Sequence, residues 1–385
     1  MRFDGNDAGC RVRGREVNHA ERAGVERTRF GKPMAALAIA ASAALALSSC
    51  AANEIPSSST LKGTMKGAGS SAQDAAQQAW IAKFQIANPS VTINYEPSGS
   101  GAGRTAFISG AVAYGGSDAA FTTAELGKTF AACAAGTKPF EVPNYISPIV
   151  AAYNVTGVNE LNLDADTLAG IFSGAISKWD DAKIKALNPN AKLPSAAITA
   201  VHRSDNSGTT TNFTDYLAQV APTVWTQKAS GDFPTAYKGE AAKGNAGVAD
   251  AIANGTNTIG YIDASKLGKL KAAKIKVGSE FVAYTPAAAA AVVAGSPVVS
   301  GRESTDMAIA INRKTTNPNE YPLVLVSYLM GCNTYADASV AALVKPYFTY
   351  LLSADGQKVA EKDAGAAPLS SAQSAAATAI VAAIK

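Results

Sequence analysis

The stretch ITAVHRSDNSGTTTNF, residues 198–213, places a β-like run, a polar turn and the start of a helix in direct succession. The run at 198–202 is mostly apolar, and the turn at 203–210 consists of Ser, Thr, Gly and Asn with one Arg and one Asp. Apolar residues then recur at i, i+3, i+4 and i+7, namely Phe213, Tyr216, Leu217 and Val220. A strand, a tight turn and an amphipathic helix in this order predict an α/β protein.

The same arrangement occurs three times nearer the N-terminus. Short apolar or alternating runs predict strands at 61–66, 91–97 and 113–118. They lead into the turns GAGSS at 67–71, SGSGAG at 98–103 and GGSDA at 115–119. Helices are predicted from 72 to the Asn88-Pro89 pair, from about Arg104, and near 123–130, with Ser71 and Asp74 as a capping box for the first. Two Ala-rich segments, 287–294 and the tail from Ser371, predict further helices.

The four turns share one chemistry. Glycine lets the backbone approach a ligand closely, and Ser and Thr supply hydroxyl donors. The helix that follows offers unpaired N–H groups and the positive end of its dipole. One such turn is weak evidence, because ordinary helix caps look the same. Four in one chain indicate a site for a small, multiply charged oxyanion. No GxxxxGK[ST] pattern is present, so a nucleotide P-loop is not predicted.

Composition limits the alternatives. Of the 385 residues, 47% are hydrophobic and 17% are charged, which excludes a disordered chain and allows two domains. Residues 1–49 hold 8 of the 34 basic and 5 of the 30 acidic residues, leaving 26 against 25 from Cys50 onward. This near-neutral body argues against nucleic-acid binding. His202 is the one histidine outside the leader, so neither a His-rich metal site nor a metal cofactor is expected.

The N-terminal region resembles the leader of a bacterial lipoprotein. The 14-residue apolar run at 34–47 is too short to span a bilayer and has the length of a signal-peptide core. It ends in Leu-Ser-Ser-Cys, which resembles the lipobox and predicts lipidation at Cys50; an ordinary cleaved signal is the alternative. Residues 50–60 form a polar tether. The stretch at 1–33 is long for the region that precedes a signal-peptide core and carries five acidic residues, which indicates that translation starts later, at Val25 or Val17.

Two cysteines remain in the body, Cys133 and Cys332. An exported protein meets an environment that is not reducing, which favours one disulfide between them. Two buried free thiols are the alternative.

In their order along the chain, the four turns resemble those of the phosphate-binding protein of the bacterial Pst-type ABC transporter. The resemblance covers residues 60–375 and extends to ISKWDDAKIKALNPNAKLP (176–194), KGNAGVADAI (243–252), GTNTIGYID (255–263), YPLVLVSYLM (321–330) and LVKPYFTYLLSADGQK (343–358). It implies a type II periplasmic-binding-protein fold, with two lobes that are each a mixed sheet flanked by helices. The ligand lies in the cleft between them. The expected boundaries are 61–142 plus 276–385 for lobe one and 143–275 for lobe two.

The resemblance also implies a set of ligand-binding residues. Asp205 is expected to orient Arg203, and the alternative for Asp205 is a solvated turn residue. Ala72 stands where the family has a bulkier residue, and Asn206 stands where Gly is commoner. The implied phosphate-binding residues are Ser71, Ala72, Ser100, Asp118, Arg203, Ser207, Gly208 and Thr209.

Two of these residues carry most of the chemistry. An arginine presents two parallel N–H donors to two phosphate oxygens, which is the role expected of Arg203. A carboxylate repels an unprotonated anion but accepts a hydrogen bond from one that carries a proton. Asp118 is therefore expected to admit phosphate and to reject sulfate. For Asp118 alone, the alternative is a helix N-cap.

The resulting expectation is an exported, lipid-anchored phosphate receptor on the outer face of the cell membrane. It would hand phosphate to the membrane permease subunits of a phosphate ABC transporter, as a monomer without a cofactor. Two other classes stay open. A phosphate-ester hydrolase would use Ser71 or Ser207 as nucleophile with His202 as base, and a surface adhesion lipoprotein would keep the fold without the ligand.

Overall fold

The computed structural model describes residues 59–385, within the compact unit Ser57–Lys385. The predicted leader, Cys50 and nearly all of the tether lie outside the described residues. Among residues 59–385, no helix is both long enough and apolar enough to cross a membrane.

Twelve strands lie within the described residues. They are β1 (Gly63–Gly69), β2 (Val91–Glu96), β3 (Tyr114–Ser117), β4 (Pro139–Asn154), β5 (Asn162–Leu163), β6 (Thr199–Arg203), β7 (Glu240–Ala242), β8 (Thr258–Asp263), β9 (Lys271–Ala272), β10 (Lys274–Val277), β11 (Glu280–Val282) and β12 (Val324–Cys332).

Eleven α-helices and one 3-10 turn, Ala264–Lys266, belong to the same part of the chain. The helices are α1 (Asp74–Ala87), α2 (Ser100–Ile108), α3 (Thr123–Leu126), α4 (Ala165–Ser173), α5 (Ala182–Leu187), α6 (Gly208–Val220), α7 (Gly244–Asn254), α8 (Pro286–Ala294), α9 (Ala338–Leu352), α10 (Ala354–Ala364) and α11 (Ser371–Ala382).

Nine of these strands form one continuous mixed sheet, whose two halves share the long strand β4. The order is β2-β1-β3-β12-β4-β8-β6-β7, with β9 also on β4, and a separate small sheet has the order β11-β10-β5. The first part of β4 pairs with β12 and its last six residues pair with β8, both antiparallel. Strands β1, β2 and β3 are parallel to one another, as are β6, β7 and β8. The molecule therefore has two lobes, as the sequence predicts, and β4 runs from one half of the sheet into the other.

Burial explains why the strands at the centre are so apolar. Every residue of β12 and nearly every residue of β4 is buried. Helices α7, α8 and α11 pack against β4, and α6 packs against β12. In the second lobe, the apolar face predicted on α6 is confirmed: Phe213 stacks on Tyr261 with ring centroids 4.1 Å apart. The exact lobe boundaries stay a prediction.

Local signals predict some element ends well and others poorly. The first helix ends before Asn88, and the two Ala-rich segments are helices, as expected. The helix expected from about Arg104 begins earlier, at Ser100, and α3 stops at Leu126. The capping box of Ser71 and Asp74 is wrong. No side chain caps α1, because the chain makes one more polar turn before the helix begins.

The disulfide between Cys133 and Cys332 is present, so the alternative of two free thiols is wrong. It joins the segment after α3 to the end of β12, across 199 residues of sequence. Closing so long a loop removes chain entropy from the unfolded state, which stabilises the fold by roughly 5 kcal/mol in the chain-entropy model.

Candidate functional site

The four polar turns meet where the two lobes face each other. Strands β1 and β3 are parallel, so the turns that follow them lie at one edge of the first sheet. The turn after β6 approaches this edge from the second lobe. A Cβ atom built on Gly208 would lie 2.6 Å from Asp118 Cβ and 2.6 Å from Ser100 Oγ. Residue 208 therefore has room for glycine only, and the cleft is closed.

Asp118 is the centre of the first lobe's half of the site, and its side chain is almost fully buried. Its Oδ1 atom accepts hydrogen bonds from the hydroxyls of Ser70 and of Ser327, the latter at 2.6 Å. Its Oδ2 atom lies 3.4 Å from both Ser100 Oγ and Thr209 Oγ1. One oxygen is thus occupied by two short bonds, and the other faces the second lobe with only long ones. Asp118 follows β3 and does not cap a helix, so the N-cap alternative is wrong.

The environment of Asp118 balances burial against donors. Burial raises the pKa of its carboxyl above the ordinary value for aspartate. The hydroxyls of Ser327 and Ser70, the positive charge of Arg203 and the hydroxyl of Ser100 each act in the opposite direction. The carboxylate form therefore depends on this particular set of neighbours.

Arg203, at the end of β6, is held by Asp205 through two parallel hydrogen bonds. Arg203 Nε lies 2.8 Å from Asp205 Oδ1, and Nη2 lies 2.5 Å from Oδ2. Burial raises the pKa of Asp205, but the bonds from Arg203 and from the Gly244 N–H outweigh it and hold that pKa below its usual range. Asp205 is therefore paired with Arg203 and is not a solvated turn residue. Two of the five guanidinium N–H groups are used, and three are left for other acceptors.

The start of α6 supplies the remaining donors of the second lobe. Ser207 is the N-cap, and its Oγ accepts the N–H of Thr210 at 3.2 Å. The cap uses a lone pair of Ser207, so the hydroxyl proton can still be donated. Ser207 and Thr209 are buried, and the first-turn N–H groups of the helix have no partner within the helix.

Ser71 and Ala72 differ from each other in what they offer. Ser71 Oγ accepts from the backbone N–H and the side-chain Nδ2 of Asn245, both at 3.1 Å, which leaves its proton as a donor. The Ala72 N–H, expected to be a ligand donor, instead donates to Ser70 Oγ at 3.0 Å. The first turn therefore offers hydroxyls more readily than backbone groups.

Four residues of this region were not predicted from the sequence. Asn245 bridges the lobes: Nδ2 also donates to Thr209 Oγ1 at 3.1 Å, and Oδ1 accepts the N–H of Asp263 at 2.9 Å. Ser70 and Asn245 lie within segments that the resemblance covers, so their motifs could have indicated them. Ser327 also lies within such a segment, 321–330, but no local signal marks it on the buried strand β12, and none marks Asn212 on α6.

Further contacts join the lobes around the site. Asn212 Nδ2 donates to the Asp118 carbonyl at 2.6 Å, and the Gly101 N–H donates to the Asn206 carbonyl at 3.1 Å. On the rim, Lys266 Nζ pairs with Asp74 Oδ2 at 2.9 Å. These bonds need both lobes in their present positions, so they favour the closed arrangement.

His202, the one histidine of residues 59–385, makes its contacts outside the group of anion donors. The His202 ring stacks on Phe233 with centroids 4.0 Å apart, and its Nδ1 lies 3.0 Å from the Arg203 carbonyl oxygen. Within residues 59–385, no group of three or more His, Cys, Asp or Glu side chains is placed to hold a metal ion. The arrangement offers many donors, one acceptor carboxylate and one oriented cation, which suits the binding of an oxyanion.

Known proteins resemble this chain over most of its length. Residues 55–355 match the family described as the PBP superfamily domain. Phosphate-binding protein PstS 3 of Mycobacterium leprae is 34% identical to the chain over 290 residues, which cover 74% of the chain and 78% of that protein. The chain belongs to the PstS family. A second PstS-family relative, PstS 2 of Mycobacterium tuberculosis, is 31% identical over 336 residues, covering 83% of the chain and 90% of that protein.

Solved structures share the fold of this PstS-family chain. A high-affinity periplasmic phosphate-binding protein, PfluDING, solved with bound phosphate, superposes with a TM-score of 0.68 at 22% identity, covering 82% of this chain and 93% of the other. The phosphate-binding protein of Stenotrophomonas maltophilia gives a TM-score of 0.62 at 19% identity, covering 83% and 94%. At these identities the likeness concerns the two-lobed fold alone.

Proposed function

We propose that this PstS-family protein binds inorganic phosphate in the closed cleft. The observation that carries the proposal is the state of Asp118. One carboxylate oxygen is occupied by two serine hydroxyls, and the other faces the Arg203 turn of the opposite lobe. A ligand between them meets an acceptor on one side and a cation with several donors on the other.

Phosphate satisfies both sides of such a site. At neutral pH it carries at least one proton, which it can donate to Asp118 Oδ2. Its unprotonated oxygens can accept from the hydroxyls of Ser71, Ser100, Ser207 and Thr209, the N–H of Gly208 and the guanidinium of Arg203. Sulfate carries no proton and would leave a buried carboxylate oxygen facing another lone pair. The site is therefore expected to select phosphate over sulfate.

The cellular role follows from the family. We infer that the protein delivers phosphate to the membrane subunits of an ABC permease, and that acylation at Cys50 anchors it outside the cytoplasm. Catalysis is not proposed, because a serine nucleophile needs a base. The His202 ring is stacked on Phe233 and hydrogen-bonded to the Arg203 carbonyl instead of to a serine. A pure adhesion protein would have no need for the donor set.

Calorimetric titration tests the proposal directly. Protein unfolded to strip bound anion and then refolded is titrated with phosphate and, separately, with sulfate. Phosphate should bind with one site per chain, and sulfate should give no heat. The same sample is incubated with p-nitrophenyl phosphate. Hydrolysis that depends on Ser71 or Ser207 would favour the hydrolase, and absence of phosphate binding would contradict the proposal.

A further inference from the structure

A chain of buried hydrogen bonds runs through the first lobe and ends at Asp118. Each link joins two side chains, and all five members are at most 3% exposed. The links are Tyr347 Oη to Gln77 Oε1 at 2.9 Å, Gln77 Nε2 to Gln73 Oε1 at 2.9 Å, Gln73 Nε2 to Ser327 Oγ at 2.6 Å, and Ser327 Oγ to Asp118 Oδ1 at 2.6 Å.

The chain has a direction. Gln77 Oε1 accepts from the tyrosine hydroxyl, so the Gln77 amide must turn its Nε2 toward Gln73. Gln73 Oε1 accepts that bond, so its own Nε2 points at Ser327. Reversing either amide would place a donor against a donor or an acceptor against an acceptor, which is costly in a buried site.

Ser327 is where this direction becomes a constraint. A serine hydroxyl has one proton to donate. Because a lone pair of Ser327 Oγ is taken by Gln73 Nε2, the proton is left for Asp118 Oδ1. Ser327 therefore donates to Oδ1 in this arrangement, and this donation favours the ionised form of Asp118.

The backbone around Ser327 is irregular. Ser327 pairs with Tyr145 on β4, whereas the next residue, Tyr328, pairs with Pro143, so Asn144 is the extra residue of a β-bulge. Bulges re-aim side chains and are common beside functional sites. Asn144 Nδ2 lies 3.4 Å from Gln73 Oε1, so the bulged residue also faces the chain.

We propose that Ser327, with Gln73 and Gln77 behind it, is a specificity-determining residue that keeps Asp118 an acceptor and so requires the bound anion to carry a proton. It acts through Asp118 as a positioning residue and need not touch the ligand. This inference rests on the proposed function, since it specifies how the phosphate site rejects an unprotonated anion.

Asp118 needs a strong hydrogen-bond donor beside it to stay ionised in its buried position. Burial raises the pKa of Asp118, and a protonated Asp118 would donate to any oxyanion, sulfate included. The hydroxyl of Ser327 is the strongest single influence in the opposite direction. The other charged or titratable groups around Asp118 are Arg203 from β6, Asp263 from β8 and Tyr95 from β2.

Arg104, a cation of the first lobe, does not stabilise the Asp118 carboxylate. The guanidinium of Arg104, on α2, donates to Ser117 Oγ at 3.0 Å and to Glu125 Oε1 at 2.9 Å. Its charge is therefore matched by the glutamate and is not directed at Asp118. The hydroxyl donors and Arg203 together therefore have to keep Asp118 ionised.

The test compares Ser327→Ala with wild type by titrating phosphate and sulfate at several pH values. Loss of one hydrogen bond to a charged group should raise the midpoint of Asp118 protonation by about 1–2 pH units. Sulfate binding should therefore appear in the variant as the pH falls. The ratio of phosphate affinity to sulfate affinity should drop at least about tenfold at a pH of about 5.5. Ser327→Thr keeps the hydroxyl and should restore the wild-type ratio.

Two further variants complete the design. Gln73→Met removes the bond that occupies a lone pair of Ser327 Oγ and favours donation of its proton to Asp118, so it should shift the pH profile in the same sense by a smaller amount. Thr258→Val removes one buried hydroxyl in the second lobe, which donates to the Ile252 carbonyl at 2.9 Å, and should leave the ratio unchanged. A ratio in Ser327→Ala that equals the wild-type ratio at every pH would overturn the inference.

A measurement on the wild-type protein covers the case in which the variants fail to fold. With ¹³C-labelled aspartate, the Asp118 carboxyl signal of the ligand-free protein should be that of a carboxylate at about pH 7. A protonated signal there would overturn the inference. If wild-type protein binds no phosphate, the proposed function has failed; if it binds phosphate and rejects sulfate while Ser327→Ala does the same at low pH, only the inference has failed.

Discussion

The Asp205 carboxylate binds one edge of the Arg203 guanidinium, accepting two parallel hydrogen bonds of 2.8 and 2.5 Å. The two residues are neighbours in one turn, and the arginine side chain is 1% exposed against 16% for the aspartate. Burial of an arginine is tolerable because the aspartate neutralises it, and the fixed plane of the guanidinium sets which N–H groups face the cleft.

Asp205→Asn should therefore weaken phosphate binding without abolishing it. The amide can accept one of the two bonds, but it cannot hold the guanidinium plane or neutralise its charge. We expect a loss of about 1.5–3 kcal/mol in binding free energy, the range for hydrogen bonds to charged groups. Calorimetric titration measures it. Asp250→Asn, an exposed change on α7, is the matched control and should bind like wild type.

Asp118→Asn should change selectivity more than affinity. The hydroxyls of Ser70 and Ser327 will hold the amide oxygen, because both donate to the Oδ1 position. The amide N–H₂ then faces the cleft, where it can donate to sulfate. Phosphate affinity should fall by about 1–2 kcal/mol, and sulfate binding should become measurable.

A matched variant at Arg203 distinguishes discrimination between the two anions from the binding of any oxyanion. Arg203→Ala should weaken both anions, because it removes a cation that every oxyanion uses. If Asp118→Asn keeps the wild-type ratio of phosphate to sulfate affinity, then Asp118 does not discriminate between the two anions.

Gly208→Ala should prevent full closure of the cleft. An added Cβ would lie 2.6 Å from atoms of Asp118 and Ser100, closer than van der Waals contact allows. Phosphate affinity should fall at least about tenfold, because the two halves of the site no longer reach the ligand together. Small-angle scattering should show that phosphate makes the wild-type protein more compact and leaves the variant unchanged.

Gly247→Ala on α7 controls for the loss of a glycine. Its added Cβ would meet only ordinary contacts, the nearest at 3.8 Å. This variant should bind phosphate and close as wild type does. A wild-type scattering profile that stays unchanged with phosphate bound would argue against closure by the ligand.

Asp263 should make stability depend on pH. Its carboxyl is fully buried at the end of β8, and burial raises its pKa to about 6, against 3.8 in the unfolded chain. The folded state then binds the proton more tightly, so stability falls as pH rises between these two values. Asp263→Asn removes this loss. Relative to wild type, the variant should gain up to about 3 kcal/mol in unfolding free energy between about pH 4 and pH 7.

Asp337→Asn provides a comparison of opposite sign. Hydrogen bonds from Ser339 lower the pKa of the exposed Asp337 carboxylate, which therefore stabilises the fold more at neutral pH than in acid. Denaturant titrations of both variants at the two pH values check the signs. A difference between Asp263→Asn and wild type that does not change with pH would contradict the expectation.

Cys50→Ser tests the anchor. Acylation at this cysteine is the one membrane attachment proposed, and two acyl chains are needed for stable anchoring. The variant should accumulate as an unprocessed or released form when cells are fractionated. Normal processing and full recovery with membranes would show that the lipobox interpretation is wrong.

Several features could be predicted from the sequence because their causes are local. Strand and helix periodicity indicated the α/β class, and Gly/Ser turns before helices indicated anion-binding donors. Arg203 and Asp205 lie two residues apart, so their pairing needs only one turn. Where local signals competed, the prediction was wrong: Ser71 resembled a cap, yet the chain makes another turn before α1 begins.

Long-range geometry decided the rest. Ser327 reaches Asp118 across 209 residues of sequence, and Asn245 reaches Ser71 across 174. Neither residue type nor local spacing indicates such contacts. The first depends on the register of β12 against β4, including one bulged residue, and the second depends on two lobes closing. The sequence by itself determined which donors and which carboxylate the protein carries. Only the tertiary structure decided which oxygen of that carboxylate is occupied, because Ser70 and Ser327 meet Asp118 only in the folded first lobe.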